Sequence, residues 1–175
     1  MVIGFVGTLR KEIDLALLAA AAELAPDLNF VLVGPVMTGV RRLAARPNVR
    51  LVGSVPHSEV ARYMASFDVG VLPYVQNRFT AAIMPVKLKE YLAAGLPIVA
   101  TPLPEVRRFA AEHPEVITFA NNADEFVAAL RTAAADNGPA AEMRRMRIAR
   151  QYDWSAQMLR INELLERALA AKRDG

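Results

Sequence analysis

The chain has 175 residues, of which 54% are hydrophobic, 22% are charged and none is cysteine. This size predicts one globular domain, the apolar content excludes intrinsic disorder, and the lack of cysteine excludes disulfides, thiolate metal ligands and cysteine nucleophiles. The net charge of +3 lies wholly in residues 139–175, because residues 1–138 carry 13 basic and 13 acidic side chains. A nucleic-acid surface is usually more strongly basic than this, so we predict no nucleic-acid partner.

Short apolar segments alternate with helical patterns from the first residues onward. Brief β-branched runs predict strands, and apolar residues spaced three or four apart predict helices. The predicted strands are 2–6, 30–33, 49–52, 69–72, 98–100 and 116–119. The predicted helices are 13–25, 39–45, 58–66 with Ser58 as its N-cap, 86–94, 105–111 and 124–135. Residues 74–85 show no clean period and are predicted to form a long loop.

This alternation predicts an α/β fold, namely a Rossmann-like, three-layer α/β/α domain with a six-stranded parallel sheet. After Pro139 two helices follow without a strand between them, at 140–151 and 155–173. We therefore divide the chain into a Rossmann-like domain, 1–138, and a C-terminal helical extension, 139–175. An apolar stripe on the last helix needs a packing partner, and it consists of Met158, Ile161, Leu164, Leu165 and Leu169.

Open parallel sheets bind ligands beyond the carboxyl ends of their strands, which directs attention to the loops that follow each strand. The first such loop, residues 7–12, has neither the glycine fingerprint of dinucleotide-binding proteins nor a P-loop. It contains Arg10 and Lys11, for which two interpretations stay open. They are either solvated surface charges or cations that reach a phosphate at the strand ends.

The segment 81–101 is the most informative part of the sequence. Pro85 stands at a helix entry, where its missing N–H costs nothing, and the free N–H groups after it form an anion site for phosphate. Lys87 and Glu90 are three residues apart and share a helix face. They form an ordinary ion pair, or they divide a nucleotide between them, with the lysine near the phosphates and the carboxylate on the ribose hydroxyls.

Residues 85–101 read Pro-x-Lys-x-x-Glu-Tyr-Leu-Ala-Ala-Gly-x-Pro-Ile-Val-Ala-Thr. This stretch resembles the nucleotide-sugar motif of GT-B glycosyltransferases, in the retaining group 1 (GT4-type) branch. The resemblance extends over nearly the whole chain. Residues 3–7, 30–34, 48–57 and 67–73 resemble the first four strands of the C-terminal domain of that family and its base-contacting loop. The combination of these pieces is specific to the family.

The resemblance implies which residues bind the donor. Glu90 matches the glutamate that holds the ribose hydroxyls, and Lys11 falls near the phosphate-binding lysine of the family. The loop 53–57 would place backbone groups against the base, and the amides after Pro85 would face the diphosphate. The predicted donor-binding set is Gly7, Thr8, Arg10, Lys11, Gly34, Gly53, Val55, His57, Pro85, Val86, Lys87 and Glu90. The catalytic residues are not predicted.

Two positions depart from the family pattern. The first glutamate of the E-x7-E motif, which touches the donor sugar, is replaced by Ala82, and the arginine after the first glycine is replaced by Thr8. Arg10 could substitute for that arginine, and Lys87 could supply a further cation. His57 is interpreted either as a surface or capping residue or as a general base at the cleft.

The resemblance thus implies a hexosyltransferase-type glycosyltransferase that transfers a sugar from a UDP- or GDP-sugar to an acceptor hydroxyl, with no metal ion or cofactor. It covers only the second domain of a two-domain fold. We therefore expect an N-terminal acceptor domain or a partner subunit to be missing here, and little transfer by this chain alone. Two alternatives stay open: a UDP-sugar 2-epimerase-like half, and a non-catalytic nucleotide-sugar binding or assembly module, which the lost glutamate favours.

The sequence also predicts a location. No apolar run reaches the ~20 residues needed to span a bilayer, and the first residues are too short and uncharged a segment for a signal peptide, so a cytoplasmic protein is expected. The C-terminal extension contains an arginine run that is either a solvated helix face or a peripheral contact with anionic lipid at the inner membrane surface. This run consists of Arg144, Arg145, Arg147 and Arg150.

Overall fold

A computed structural model describes residues 1–153, 158, 161, 162 and 164–167. The strands are β1 (Val2–Val6), β2 (Asn29–Val33), β3 (Val49–Gly53), β4 (Val69–Leu72), β5 (Ile98–Ala100) and β6 (Ile117–Phe119). The helices are α1 (Leu15–Leu24), α2 (Arg41–Ala44), α3 (His57–Met64), α4 (Val86–Ala93), α5 (Pro104–Glu112), α6 (Ala123–Ala135) and α7 (Pro139–Arg150), and a 3₁₀ turn covers Thr80–Ala82. All strand pairs are parallel, in the order β3-β2-β1-β4-β5-β6. The predicted Rossmann-like fold is confirmed.

The two central strands, β1 and β4, separate towards their carboxyl ends. β1 pairs with β2 along all five residues, from Val2 to Val6, but it pairs with β4 only at Ile3 and Gly4. The direction of strand addition also reverses here, because β2 and β3 lie on one side and β5 and β6 on the other. This is the topological switch point, where open α/β sheets usually bind their ligands.

Apolar side chains cover both faces of the sheet. One layer packs the sheet against α1 and α6 around Phe126, and the other packs it against α4 and α5 around Tyr91. Two strand glycines allow aromatic rings to approach the sheet closely. A Cβ on Gly4 would lie 1.9 Å from the Phe67 ring, and a Cβ on Gly70 would lie 2.8 Å from the Tyr91 ring.

Most helices, and the strands β2, β3 and β6, differ from their predicted bounds by one or a few residues, and the starts of α1 and α3 have a clear local reason. α1 begins at Leu15 rather than at residue 13, because the Asp14 carboxylate caps the helix by accepting a main-chain N–H of its first turn. α3 begins at His57, so the prediction of Ser58 as N-cap is wrong, and Ser58 lies inside the first turn. The loop predicted at 74–85 contains the 3₁₀ turn.

α7 packs against α4 through a buried arginine. Arg145 is only 4% exposed, and its Nε donates to the Gly95 carbonyl at 2.7 Å while Nη2 donates to Asn137 Oδ1. Burial lowers the pKa of Arg145 below its usual value. The expectation that the whole arginine run faces solvent or lipid is therefore wrong for Arg145, whose guanidinium holds the turn that follows α4.

The apolar stripe predicted for the last helix is described in part. Met158, Ile161, Leu164 and Leu165 are each between 45% and 58% exposed, whereas Leu169 lies outside the described residues. In the described part of the chain, no helix combines the length and the apolar character needed to cross a membrane.

Candidate functional site

Three glycines stand at the carboxyl ends of β1, β2 and β3. Gly7, Gly34 and Gly53 have φ angles of 152°, 140° and 82°, a region that side-chain-bearing residues rarely adopt. Gly7 N–H donates to the Val33 carbonyl at 2.9 Å, and Gly34 N–H donates to the Gly53 carbonyl at 2.8 Å. A Cβ on Gly34 would lie 2.1 Å from the Gly7 oxygen, so the first loops of the site leave the sheet in direct contact.

The loop after β1 is fastened to loops on both sides of it by main-chain hydrogen bonds. Leu9 shares two bonds of 2.8 Å with the loop after β2, and the Glu12 carbonyl accepts the Val75 N–H at 2.9 Å after β4. The loop therefore bridges the switch point. Arg10 and Lys11 both lie on it and are exposed, so they stand at the carboxyl edge of the sheet as predicted.

Tyr91 lies beneath the switch point. Its hydroxyl accepts the Val6 N–H at 2.9 Å, at the end of β1 that no longer pairs with β4. The side chain is fully buried, and burial raises the pKa of Tyr91 well above its usual range, with the Val6 hydrogen bond opposing and Glu90 and Tyr74 adding to the rise. The phenol therefore stays neutral and joins α4 to β1.

Tyr74 connects the carboxyl ends of β4 and β5. Its N–H donates to Thr101 Oγ1 at 2.9 Å, and Thr101 Oγ1 donates to the Tyr74 carbonyl at 2.7 Å. Partial burial raises the pKa of the Tyr74 phenol, while the charge of Arg10 lowers it and that of Glu12 raises it. The main chain brings these residues together, because Ile13 forms a bridge with Tyr74 and the Glu12 carbonyl accepts the Val75 N–H.

The remaining predicted donor-binding residues, Pro85, Val86, Lys87 and Glu90, lie at the start of α4 and in its first turns. Pro85 is the N-cap residue, and the N–H groups of Val86 and Lys87 have no acceptor among the described residues, so they are available to an anion. Lys87 Nζ donates to Glu90 Oε2 at 2.5 Å, with the two side chains 27% and 32% exposed. The ion pair considered from the sequence is thus present, yet Glu90 Oε1 keeps no partner within the described part of the chain.

The predicted base-contacting loop lies to one side of these groups. It follows β3, which is two strands away from β1, or about 10 Å. Val55 is half-buried against the core beneath the loop, and His57 is exposed as the first residue of α3. On the opposite side of the site, Glu90 and Val86 line a cavity of about 500 Å³ between α4 and α7.

The loop between β4 and α4 has a defined conformation. The Asn77 Oδ1 atom accepts the N–H groups of Phe79 and Thr80, both at 2.9 Å. The Thr80 hydroxyl donates to a main-chain carbonyl at 2.5 Å and is fully buried, whereas Arg78 and Phe79 are exposed. This network fixes the turn that carries Ala82, the position where the E-x7-E pattern would place its first glutamate.

Sequence reasoning did not single out three residues that the structure brings into this region. The burial of Tyr91 could have been predicted, because Tyr91 lies on the apolar face of α4 with Leu88 and Leu92. Tyr74 and Glu12 lie in loops without periodicity, so their burial left no trace in the sequence. No group of three or more histidine, aspartate or glutamate side chains that could hold a metal ion occurs among the described residues.

Comparisons with known proteins agree on the family. The family described as "Glycosyl transferases group 1" matches residues 1–136. A Bacillus subtilis (strain 168) protein named for teichuronic acid biosynthesis, the glycosyltransferase TuaH, is 35% identical over 161 residues, which are 89% of this chain and 40% of that protein.

Solved structures share the fold at low sequence identity. Anabaena HepE in complex with UDP and glucose superimposes with a TM-score of 0.70 at 19% identity, over 97% of this chain and 48% of that one. Sucrose-phosphate synthase from Thermosynechococcus elongatus gives a TM-score of 0.77 at 19% identity, over 97% of this chain and 46% of that one. The chain thus spans less than half the length of each of these relatives.

Proposed function

The chain belongs to the group 1 glycosyltransferases, and on that premise we propose that it is the donor-binding half of such an enzyme. It would bind a UDP- or GDP-sugar, whose sugar passes to an acceptor hydroxyl. The observation that carries this proposal is the juxtaposition at the carboxyl edge of the sheet. The cationic loop after β1, with Arg10 and Lys11, bridges the switch point, and α4 is joined to the end of β1 beside it through Tyr91.

Each part of the site has a proposed task. Glu90 accepts hydrogen bonds from the ribose hydroxyls, and the free amides of Val86 and Lys87 face the diphosphate. Arg10 and Lys11 add positive charge near the same group. The loop 53–57 contacts the base through its backbone.

In the proposed reaction the bond between the anomeric carbon and the diphosphate oxygen breaks, and a bond from that carbon to the acceptor oxygen forms. The acceptor hydroxyl loses its proton, and the nucleoside diphosphate leaves. Negative charge develops on the diphosphate as it leaves, so the cations and amides that surround it are stronger ligands of the transition state than of the bound donor. The group that takes the acceptor proton is not assigned.

The relatives that share this fold are more than twice as long as this chain. We propose that the acceptor site is formed by an N-terminal domain or by a partner subunit, and that this chain alone binds donor but transfers little sugar. HepE and pneumococcal GtfA were solved in complex with UDP and a sugar, which supports a UDP-sugar as the first donor to test.

Replacement of the first E-x7-E glutamate by Ala82 favours a second candidate, a nucleotide-sugar binding module without catalysis. The two candidates differ in one measurement. When an acceptor half from a relative is supplied, a transferase releases nucleoside diphosphate from the donor in an acceptor-dependent manner. A binding module binds the donor equally well and releases none.

The test of donor binding is a thermal-shift screen of the chain with UDP, GDP, ADP and TDP, followed by calorimetry. A ligand present at 100 times its Kd stabilises the folded state by about 2.7 kcal/mol, so one nucleoside diphosphate should raise Tm clearly. Glu90→Ala is expected to abolish that shift. Glu23→Ala is the matched control, because Glu23 also pairs with a cation, Arg46, but is exposed at the far end of α1. No shift with any of the four compounds at millimolar concentration overturns the proposal.

A further inference from the structure

Glu12 has a buried carboxylate whose burial is not compensated by hydrogen bonds. The residue is 7% exposed, and its Oε2 atom is buried without a hydrogen bond from any described donor. Its neighbour is Arg10, whose Nε lies 3.2 Å from Oε2, within ion-pair range but not aligned as a hydrogen bond. Because burial of a charged carboxylate costs free energy, its presence in this loop requires a compensating interaction, and Arg10 supplies the nearest one.

The pair is asymmetric in its exposure to solvent. The Arg10 side chain is 55% exposed, whereas that of Glu12 is 9% exposed. An arginine presents five N–H donors in a planar fork, and those of Arg10 form no hydrogen bond with any described residue, so they are available to a ligand. The backbone of Glu12 is itself held, because its carbonyl accepts the Val75 N–H at 2.9 Å. Glu12 therefore acts as a fixed anchor from which the guanidinium projects at the switch point.

We propose that Glu12 is a positioning residue that orients the Arg10 guanidinium toward the diphosphate of the nucleotide donor. This inference rests on the proposed function and adds a specific task to two residues of the loop after β1. A lysine at position 10 would keep the charge but lose the fork that a neighbouring carboxylate can align. The carboxylate acts through Arg10 and does not touch the donor itself.

The test is a double-mutant cycle read out by calorimetry with a nucleoside diphosphate and the matching monophosphate, UDP with UMP or GDP with GMP. Arg10→Gln should weaken diphosphate binding about tenfold and monophosphate binding less than about twofold, since a charge-assisted contact to the outer phosphate is lost. Glu12→Gln should weaken diphosphate binding about fivefold with the same selectivity. In the Arg10→Gln background it should add no further loss, because both changes remove one coupled interaction.

A merely structural role for Glu12 predicts a different pattern. Glu12→Gln would then lower Tm, weaken both ligands equally and add its full effect to Arg10→Gln, and that result overturns the inference. If Glu12→Gln does not fold, the inference is tested at the exposed member of the pair, with Arg10→Lys. It is expected to bind the diphosphate about as weakly as Arg10→Gln. Full affinity in Arg10→Lys overturns the inference, because orientation of the fork then has no effect.

The same titrations separate this inference from the proposed function. If the unsubstituted chain binds the diphosphate and Glu12→Gln binds it equally well, the inference fails and the proposed function stands. If the unsubstituted chain binds none of the nucleoside diphosphates, both fail together. Glu23→Gln serves as the control for loss of a glutamate charge, and it is expected to leave both affinities unchanged.

Discussion

The Val6 main-chain N–H donates to the Tyr91 hydroxyl at 2.9 Å, which links the end of the central strand β1 to helix α4. A backbone donor inside a sheet usually bonds to the neighbouring strand, but β4 has already separated from β1 at this point. The tyrosine supplies the missing acceptor and keeps the opening between the two strands free of an unsatisfied donor. The helix that carries Lys87 and Glu90 is thereby held at the switch point by a side chain that contacts no ligand in the proposed scheme.

Tyr91→Phe is expected to destabilise the fold, because it leaves the buried Val6 N–H without its acceptor. An unsatisfied buried donor costs about 1–3 kcal/mol, so the free energy of unfolding in urea should fall by that amount. Tyr63→Phe is the matched control, since the Tyr63 hydroxyl has no hydrogen bond among the described residues and the side chain is half-buried. Equal stability of Tyr91→Phe and the unsubstituted chain would show that another group replaces the lost acceptor.

Gly34→Ala is expected to disrupt the contact between the loops after β1 and β2. Its φ of 140° disfavours any side chain, and the new Cβ would lie 2.1 Å from the Gly7 oxygen. We expect a loss of at least about 2 kcal/mol in the free energy of unfolding. Gly39→Ala is the control, because a Cβ at Gly39 meets nothing within 4 Å. A fall in Tm of similar size in both variants would contradict the steric explanation.

The ion pair between Asp27 and Arg131 predicts a specific dependence of stability on pH. Arg131 donates to both carboxylate oxygens, at 2.8 and 2.9 Å, and this hydrogen bonding lowers the pKa of Asp27 below its usual 3.8. A lowered pKa in the folded state adds stability that is fully present above the unfolded pKa and is lost as pH falls through the folded pKa. The Asp27 contribution should therefore be constant at neutral pH, begin to fall near the unfolded pKa of about 4, and vanish only below the lower pKa of the folded state.

The measurement compares the free energy of unfolding of the unsubstituted chain and Asp27→Asn between pH 7 and pH 3. The difference between them should shrink as pH falls and should also shrink when salt is added, because both groups are exposed. Asp136→Asn, at an exposed aspartate without an ion pair among the described residues, should show no such trend. A difference that grows towards pH 3 would contradict the assignment.

Arg145→Ala is expected to loosen α7 from α4. It removes the donors to the Gly95 carbonyl and to Asn137, and it leaves a cavity where the buried guanidinium lay. We expect a loss of about 1–3 kcal/mol, measured as the free energy of unfolding. Arg147→Ala, two residues away and exposed, should change stability by no more than about 0.5 kcal/mol. Equal effects of the two substitutions would mean that the buried contacts of Arg145 contribute nothing.

Local pattern predicts some elements of this fold to the residue. The strands 2–6, 69–72 and 98–100 have the predicted bounds, because each is a short apolar run whose ends are set by turn residues. Gly95 ends α4 with a φ of 72°, as its position after the helix suggests. The start of α1 had a local signal that the prediction missed, the N-cap Asp14. The pairing of residues 13 and 14 with the loop after β4 is a long-range contact that no local pattern encodes.

The burial and the partners of individual side chains are harder to predict from the sequence than the positions of helices and strands. Arg145 belongs to an arginine run, and long-range contacts with Gly95 and the α4 region, which the local sequence does not encode, make it buried. Glu12 follows two cations in a polar loop, yet the packing of that loop against β4 removes it from solvent. Helical spacing places Lys87 and Glu90 on one helix face, and the ion pair, one of the two interpretations left open, is present in the structure. The donor-binding assignment of the twelve residues remains a prediction.

The fastening of the loop after β1 has a consequence for protein engineering. Its bonds to the loops after β2 and β4 join main-chain atoms only, at Leu9, Glu12 and Val75. The side chains at positions 8 and 11 take no part in them, whereas Arg10 pairs with the buried Glu12 and has to be kept. Randomising positions 8 and 11 should therefore leave the path of the loop intact. A library built there would sample new charge and shape at the rim without loss of folded protein, which makes this loop a favourable place to alter ligand preference.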